Sequence, residues 1–241
     1  MANSRSPNID LLRRSPFFAA AGEASMVRLL QPSFTQQLPR GAILFEQNDP
    51  PDVLYLLLSG SIGLKAAAET GGDTYVEIFG PGELFLVPAV ILRLPHLASG
   101  VALTDVRVLM IPSDAFREGV DQDPTLARAT IELLARHWRL MVDQVVDLKL
   151  RPAGRRVGRF LARRMRAEQD AAAAELPEPR AAIAARLGMT PETLSRALNA
   201  LEQQGVVRLS PKRAEVIDRG RLASGSPRSR PRSPEPETPT A

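Results

Sequence analysis

The sequence predicts an α+β protein made of an antiparallel β-sandwich or barrel, one long helix and a small C-terminal helical domain. Short strand-like segments separated by Gly/Pro turns occupy residues 34–117. A heptad of apolar residues follows Asp123, and two short helical segments joined by a glycine lie beyond residue 180. We therefore expect domains at 10–121, 122–150 and 151–222, followed by a disordered, proline-rich tail at 223–241.

The first domain is expected to be all-β because apolar runs alternate with turn residues. Residues 53–58, 75–79 and 106–111 have the composition of strands, and Ser59-Gly60 and 80–82 have that of turns. Turns recur at intervals of about 8–12 residues, which is typical of antiparallel sandwiches and barrels.

The long helix is predicted to begin with Asp123 as its N-cap and Pro124 in its first turn. Apolar residues then recur at spacings of four and three, starting from Ala127. Such a narrow seam favours a coiled coil between two chains, whereas a helix that packs on its own domain normally has a wider stripe. The predicted dimerisation residues are Ile131, Leu134, Trp138, Met141, Val145 and Leu148.

The C-terminal domain is predicted to contain a helix at 181–187, a turn at Gly188 and a second helix that Thr190 caps and Gly205 ends. A hairpin is expected over 206–217, and residues 171–174 have the composition of a linker. Helix, glycine turn and helix form the helix-turn-helix pattern, whose second helix enters the major groove of DNA.

The second helix carries a polar row opposite its leucines. Glu192, Ser195, Arg196 and Asn199 follow at i, i+3, i+4 and i+7, and arginine, glutamate and serine can all bond base edges. The alternative is an ordinary Glu192–Arg196 ion pair worth about 0.3–0.5 kcal/mol. The candidate DNA-binding residues are Glu192, Ser195, Arg196, Thr190, Thr193, Asn199, Arg180 and Lys212.

Charge and composition limit the function classes. The net charge is +4, yet residues 149–166 hold eight basic residues and no acidic one, which favours a polyanionic partner over a merely solvated face. The chain has no cysteine and two histidines, so disulfides, cysteine nucleophiles and cysteine-ligated metals are excluded. We find no catalytic residue set, no metal cluster, no signal peptide and no membrane-spanning run, so we expect a cytoplasmic protein that is not an enzyme.

The order of barrel, long helix and helix-turn-helix resembles the Crp/Fnr family of bacterial transcription regulators over about residues 10–222. The resemblance implies a cyclic-nucleotide-binding-like jelly roll, a dimerisation helix and a winged helix-turn-helix. Glu192, Ser195 and Arg196 resemble the base readers of the Fnr branch, whose half-site is TTGAT, and Pro191 stands where the Crp branch has a further arginine. The matching motifs are Leu38-Pro39-Arg40-Gly41, 58–62, 81–84 and Glu192-x-x-Ser195-Arg196.

The sensor departs from the family pattern. In one alignment with the family, Leu97-Ala98-Ser99 stands where cyclic-nucleotide binders have an arginine tripeptide. In the other alignment Arg93 is the phosphate ligand, but the Leu94-Pro95 that follows it fits the family pattern badly. Both alignments argue against a cyclic nucleotide, and the missing cysteines exclude an iron–sulfur cluster. Haem held by His96 or His137, a small apolar ligand and plain core packing stay open as alternatives. The candidate effector pocket comprises Phe85, Leu86, Val87, His96 and Trp138.

The resemblance implies a homodimeric regulator, more usually an activator, that binds TTGAT-N4-ATCAA-like inverted repeats in double-stranded DNA and contacts RNA polymerase. Its sensor either responds to an effector or has none. A haem-dependent sensor of nitric oxide or carbon monoxide is one alternative. A regulatory module that binds a ligand and acts through protein–protein contact is the alternative from another class, and the basic stretch and the polar row count against it.

Overall fold

The computed structural model describes Leu12 and residues 15–67, 73–167 and 172–224. The chain divides into two compact units. The first holds the residues up to Leu150 together with Pro177–Pro191, and the second holds Arg151–Leu176 and the residues from Glu192 onwards. The predicted disordered tail lies outside the described residues from position 225.

Eight helices are described. In chain order, α1 to α8 span Pro16–Leu30, Val87–Leu92, Ser113–Gln122, Pro124–Leu150, Ala153–Ala167, Arg180–Arg186, Pro191–Gln203 and Arg219–Ser224. The sequence analysis predicted four of these helices and missed α1, α2, α3 and α8; the strand-like reading of residues 34–117 is therefore wrong at α2 and at the start of α3. Helix α1 is interrupted at Gly22, whose φ of 82° and ψ of 167° lie outside the helical region.

Eleven strands are described. In chain order, β1 to β11 span Phe34–Leu38, Ile43–Phe45, Val53–Ser59, Ile62–Ala67, Asp73–Phe79, Leu84–Phe85, Ser99–Ala102, Val106–Pro112, Ala173–Glu175, Val207–Ser210 and Arg213–Val216. They form two four-stranded sheets, in the orders β1-β8-β3-β6 and β2-β7-β4-β5, and a three-stranded sheet in the order β10-β11-β9. The first two are the predicted antiparallel jelly roll, although neither sheet closes into a barrel.

Strand β3 is buried on both faces, which explains its almost continuous apolar sequence. Alternate side chains of a strand point to opposite sides of the sheet. Tyr55 and Leu57 accordingly enter a core between the two sheets, together with Phe45, Phe85 and other apolar residues. Leu54 and its alternate neighbours enter a second core, which α1, α3 and α4 cover.

Helix α4 begins as the sequence predicts. Oδ1 of Asp123 accepts a hydrogen bond from the backbone N–H of Thr125 at 2.9 Å, and the other carboxylate oxygen accepts one from the Ser25 hydroxyl. One face of α4 is buried against its own unit through Leu126, Ala129 and Leu133.

The other face of α4 carries most of the predicted seam. Ile131, Trp138 and Met141 are 67%, 70% and 63% exposed, and Val145 and Leu148 are also exposed. Leu134 is the exception, because it is partly buried and packs against the core of its own unit. The helix therefore has two separate apolar faces, of which the unit itself covers one.

The second unit contains α5, α7, α8 and the small sheet. Strands β10 and β11 form the predicted hairpin, pairing Val207 with Val216. The linker expected at 171–174 is wrong in part, because β9 begins at Ala173 and pairs with β11. Pairing along the edge of β11 determines this short strand, and its alanine-rich sequence gives no strand signal.

Candidate nucleic-acid interface

The recognition helix predicted from the sequence is α7, and its two faces are as different as the sequence implies. Leu194, Leu198 and Leu201 are buried. The polar side chains of the opposite face are exposed: Glu192, Ser195, Arg196 and Asn199. An acid, a hydroxyl and a guanidinium thus lie within two turns on one accessible surface, and these are the groups that bond base edges in a major groove.

Arg196 is directed along the helix by a neighbour. Its Nη2 donates to Oγ1 of Thr193, which is half-buried, at 3.2 Å. A guanidinium has five N–H donors, so this contact orients the Arg196 side chain and leaves other donors available for a base.

The end of α7 is tied to the hairpin that follows it. The chain leaves the helix through Gly205, whose φ of 68° favours glycine, and the N–H of Val206 donates to the carbonyl of Leu201 at 3.0 Å. Glu202 accepts a hydrogen bond from the N–H of Leu209 in β10 at 2.8 Å. The hairpin of β10 and β11, which is the wing of the motif, is therefore held to the helix that carries the polar row.

Lys212 lies exposed in the turn between the wing strands. Its carbonyl accepts a hydrogen bond from the N–H of Leu176 at 2.6 Å, which fixes the turn. Its position at a wing tip suits contact with a phosphate.

The first helix of the motif, α6, falls in the first unit. Its predicted anchors Ile183 and Leu187 are buried. Two further candidates also belong to this unit: Arg180 is half-buried, with an Nη1 atom that has no hydrogen-bond partner among the described residues, and Thr190 is exposed. The other six candidates lie in the second unit.

The basic stretch at 149–166 runs from the end of α4 into α5, and its arginines from 151 to 164 are half-buried. Arg164 donates to the carbonyl of Glu175 at 2.7 Å, and its guanidinium lies 5.4 Å from the ring centroid of Phe160. This guanidinium thus supports the fold of the second unit, a role that charge counting along the sequence did not reveal.

Two family models match the chain: a cyclic nucleotide-binding domain over residues 35–123 and a Crp-like helix-turn-helix domain over residues 155–224. Together they cover the jelly roll and the motif just described. The chain belongs to the Crp/Fnr family of transcription regulators. As a member of this family, it is a DNA-binding regulator of transcription.

Relatives extend over most of this Crp/Fnr chain. A CRP-like cAMP-activated global transcriptional regulator of Mycobacterium tuberculosis is 26% identical over 218 residues, covering 89% of this chain and 97% of the relative. The structure of FixK2 from Bradyrhizobium japonicum has a TM-score of 0.74 at 23% identity, covering 80% and 96%. A putative cAMP-binding regulatory protein from Silicibacter pomeroyi has a TM-score of 0.66 at 27% identity, covering 90% and 96%.

Neither Arg93 nor His96 offers a cyclic phosphate a charged partner inside this Crp/Fnr jelly roll. Arg93 is exposed at the C-terminal end of α2, in a left-handed conformation with φ of 56°. His96 is buried, and burial lowers its pKa, although Asp49 and Asp52 act in the opposite direction. A histidine that stays neutral near pH 7 offers no positive charge to a phosphate.

Aromatic rings occupy the space between the two sheets. His96 lies 4.5 Å from Phe45 between ring centroids, and Phe45 lies 5.5 Å from Tyr55. Tyr55 stacks on Phe85 at 5.6 Å, and Phe85 stacks on Phe79 at 4.6 Å. A Cβ atom at Gly100 would lie 2.3 Å from the ring of Phe45, so glycine is needed for the ring to fit.

The five candidate effector residues do not share one environment. Phe85 and Leu86 pack in the core between the sheets, whereas Val87 belongs to the core beneath the helices. Trp138 is 70% exposed on α4. His137, which is also on α4, has a lowered pKa because of burial and Arg136, against which Glu77 acts. Haem ligation by either histidine stays a prediction.

Within the described ranges, no group of three or more His, Cys, Asp or Glu residues is arranged to hold a metal ion. No helix in the described part of the chain combines the length and the apolar character that crossing a membrane requires.

Sequence reasoning missed two polar contacts between the segment 178–186, which contains α6, and the jelly roll. The hydroxyl of Ser61 donates to Oε1 of Glu178 at 2.7 Å, and both residues are buried. Nε of Arg186 donates to Oε1 of Glu77. These partners are 117 and 109 residues apart in the chain, so no local pattern indicates them.

Proposed function

We propose that the chain is a homodimeric, sequence-specific regulator that reads TTGAT-N4-ATCAA-like inverted repeats through α7. The observation that carries this proposal is the exposed row of Glu192, Ser195 and Arg196 above buried leucines. Arginine donates two hydrogen bonds to guanine O6 and N7, and glutamate accepts from cytosine N4. A TTGAT half-site and its complement contain one guanine and one cytosine, which gives both side chains a partner.

The homodimer is supported by the uncovered apolar face of α4. Exposed Ile131, Trp138 and Met141 recur at the spacing of a two-stranded coiled coil, and their unit offers them no cover. A dimer presents two copies of α7, and dimeric helix-turn-helix proteins bind half-sites about 34–36 Å apart. An inverted repeat matches this two-fold symmetry.

We infer a sensor that is filled by its own aromatic residues, so the regulator has no need of a cyclic nucleotide. The rings from His96 to Phe79 occupy the interior, and the arginine that a cyclic phosphate requires is replaced. Activation through contact with RNA polymerase, in the cytoplasm, completes the proposed function by family resemblance.

The test is an equilibrium binding titration without added effector. We expect the wild-type chain to prefer a TTGAT-N4-ATCAA duplex over a scrambled duplex of the same composition. Arg196→Ala is expected to reduce that preference by about 1–3 kcal/mol per half-site, or about 5- to 150-fold, because a bidentate base contact is lost.

Arg208→Ala is the matched control, because Arg208 is an exposed arginine of the same unit that pairs with Glu215 on the wing. It removes the same charge and is expected to leave the sequence preference intact. Equal affinity of the wild-type chain for both duplexes would contradict the proposed function.

A further inference from the structure

The segment 178–186, which contains α6, is held at two points against the part of the jelly roll that β4 and β5 form. Arg186, at the C-terminal end of α6, is paired with Glu77 of β5, and the two side chains are 11% and 25% exposed. Just before α6, Glu178 accepts a hydrogen bond from Ser61, which precedes β4. All four residues belong to the first compact unit.

The Glu77–Arg186 pair differs from an ordinary surface ion pair. Both side chains are largely withdrawn from water, so the attraction between their charges is screened less than in an exposed pair. The same oxygen of Glu77 accepts a hydrogen bond from the N–H of Ile78 at 2.9 Å, which fixes the carboxylate. By comparison, Lys65 and Asp73 of the neighbouring β4–β5 pair are 32% and 48% exposed.

A guanidinium at the position of Arg186 has a second natural partner. In helix-turn-helix proteins the first helix of the motif crosses the DNA backbone. Arginine binds carboxylates and phosphates with the same planar fork of donors, so the two anions compete for it. Resting on the proposed DNA-binding function, we propose that Arg186 is a DNA-backbone contact residue that Glu77 masks.

The masking has a measurable electrostatic consequence. Each phosphate contact adds about 0.9 to the magnitude of the slope of log K against log salt concentration. Release of Arg186 in both subunits of a dimer steepens that slope by about 1.8. Between 50 and 200 mM salt, the affinity then falls about twelve-fold more than that of the wild-type chain. A backbone contact carries no sequence information, so the change applies to any duplex.

The experiment measures the affinity of the full chain for the TTGAT-N4-ATCAA duplex and for a scrambled duplex at a series of salt concentrations. Glu77→Gln keeps the shape of the side chain and removes the negative charge that pairs with Arg186. We expect it to raise the affinity for both duplexes at low salt and to steepen both salt slopes.

Two further variants identify the cause. Asp73→Asn is the matched control, because it removes the same charge from the same strand, where the partner is Lys65 rather than α6. We expect a salt slope equal to that of the wild-type chain. In Glu77→Gln with Arg186→Gln, the added slope is expected to disappear.

Hydrogen exchange reports on the contact without DNA. The N–H groups of Leu187, Gly188 and Met189 bond to carbonyls within α6. They are expected to exchange faster in Glu77→Gln than in Asp73→Asn, because α6 loses one of its attachments.

The outcomes separate this proposal from the proposed function. Suppose that the wild-type chain prefers the repeat. The masking proposal is overturned if Glu77→Gln has the same affinity and salt slope as Asp73→Asn. It is also overturned if the double variant Glu77→Gln with Arg186→Gln keeps the increased affinity and slope. If Glu77→Gln gains affinity for both duplexes while the wild-type chain shows no preference, masking is supported and sequence-specific reading is contradicted.

Discussion

At the scale of single residues, His96 is the group whose environment differs most from what its sequence context implies. The sequence analysis names His96 as a candidate ligand for an effector, whereas in the structure it is buried beside the ring of Phe45. Burial lowers its pKa despite Asp49 and Asp52, so the folded chain binds a proton less readily than the unfolded chain.

This shift predicts that stability falls in mild acid. As the pH drops below about 6.5, the unfolded chain takes up a proton at His96 that the folded chain resists, so the free energy of unfolding decreases until the folded pKa is reached. His96→Phe keeps a ring against Phe45 and removes the titration. Urea denaturation at pH 7.5 and 5.5 is expected to show a smaller loss for this variant than for the wild-type chain.

His137 contributes with the same sign, because burial and Arg136 lower its pKa as well. The double variant His96→Phe with His137→Phe therefore serves as the reference that lacks both titrations. If the wild-type chain and His96→Phe lose the same stability between the two pH values, our account of His96 is wrong.

At the scale of elements, the helix α4 has one apolar face for its own unit and one that the unit leaves exposed. Trp138→Glu places a charge in the exposed face and is expected to weaken dimerisation at least about ten-fold, or about 1.4 kcal/mol. In analytical ultracentrifugation, the measured mass of the variant is expected to fall towards that of one chain, 26.2 kDa.

Arg139→Glu is the control for the dimer. It introduces the same glutamate one position further along α4, on an exposed part of the helix beside the seam. A dimer is expected to persist in this variant. A wild-type chain that sediments as a monomer at all concentrations would contradict the role assigned to α4.

The elements that the sequence predicted are those with strong local signals. Turn residues delimit β3 and β8, Asp123 caps α4, and a glycine turn joins α6 to α7. The missed elements depend on distant partners. Strand β9 forms on pairing with β11, and α8 packs against α5, where a Cβ atom at Gly158 would lie 2.7 Å from the carbonyl of Leu222.

The same distinction applies to the candidate site. The exposure of the α7 row follows from helical periodicity, because leucines three and four residues apart bury the opposite face. The Glu77–Arg186 and Ser61–Glu178 contacts do not follow from any periodicity, because tertiary folding alone brings these positions together.

At the scale of the whole molecule, the proposed function gives the two compact units different roles. The first contains the jelly roll, the seam on α4 and the helix α6, and the second presents the row on α7. The account of function depends on that row meeting base edges, since the proposed dimer seam and the proposed masking of Arg186 concern only how the row is presented to DNA.

The most direct test of that central claim exchanges one base pair. The G·C pair of both TTGAT half-sites is replaced by A·T, and the affinity ratio of the two duplexes is measured for the wild-type chain and for Arg196→Ala. We predict a loss of about 1–3 kcal/mol per half-site for the wild-type chain and a smaller loss for the variant, because Arg196→Ala has already lost the contact with guanine and only the contact of Glu192 with the cytosine of the same pair remains. An Arg196→Ala chain that still discriminates between the two duplexes as strongly as the wild-type chain would contradict the account.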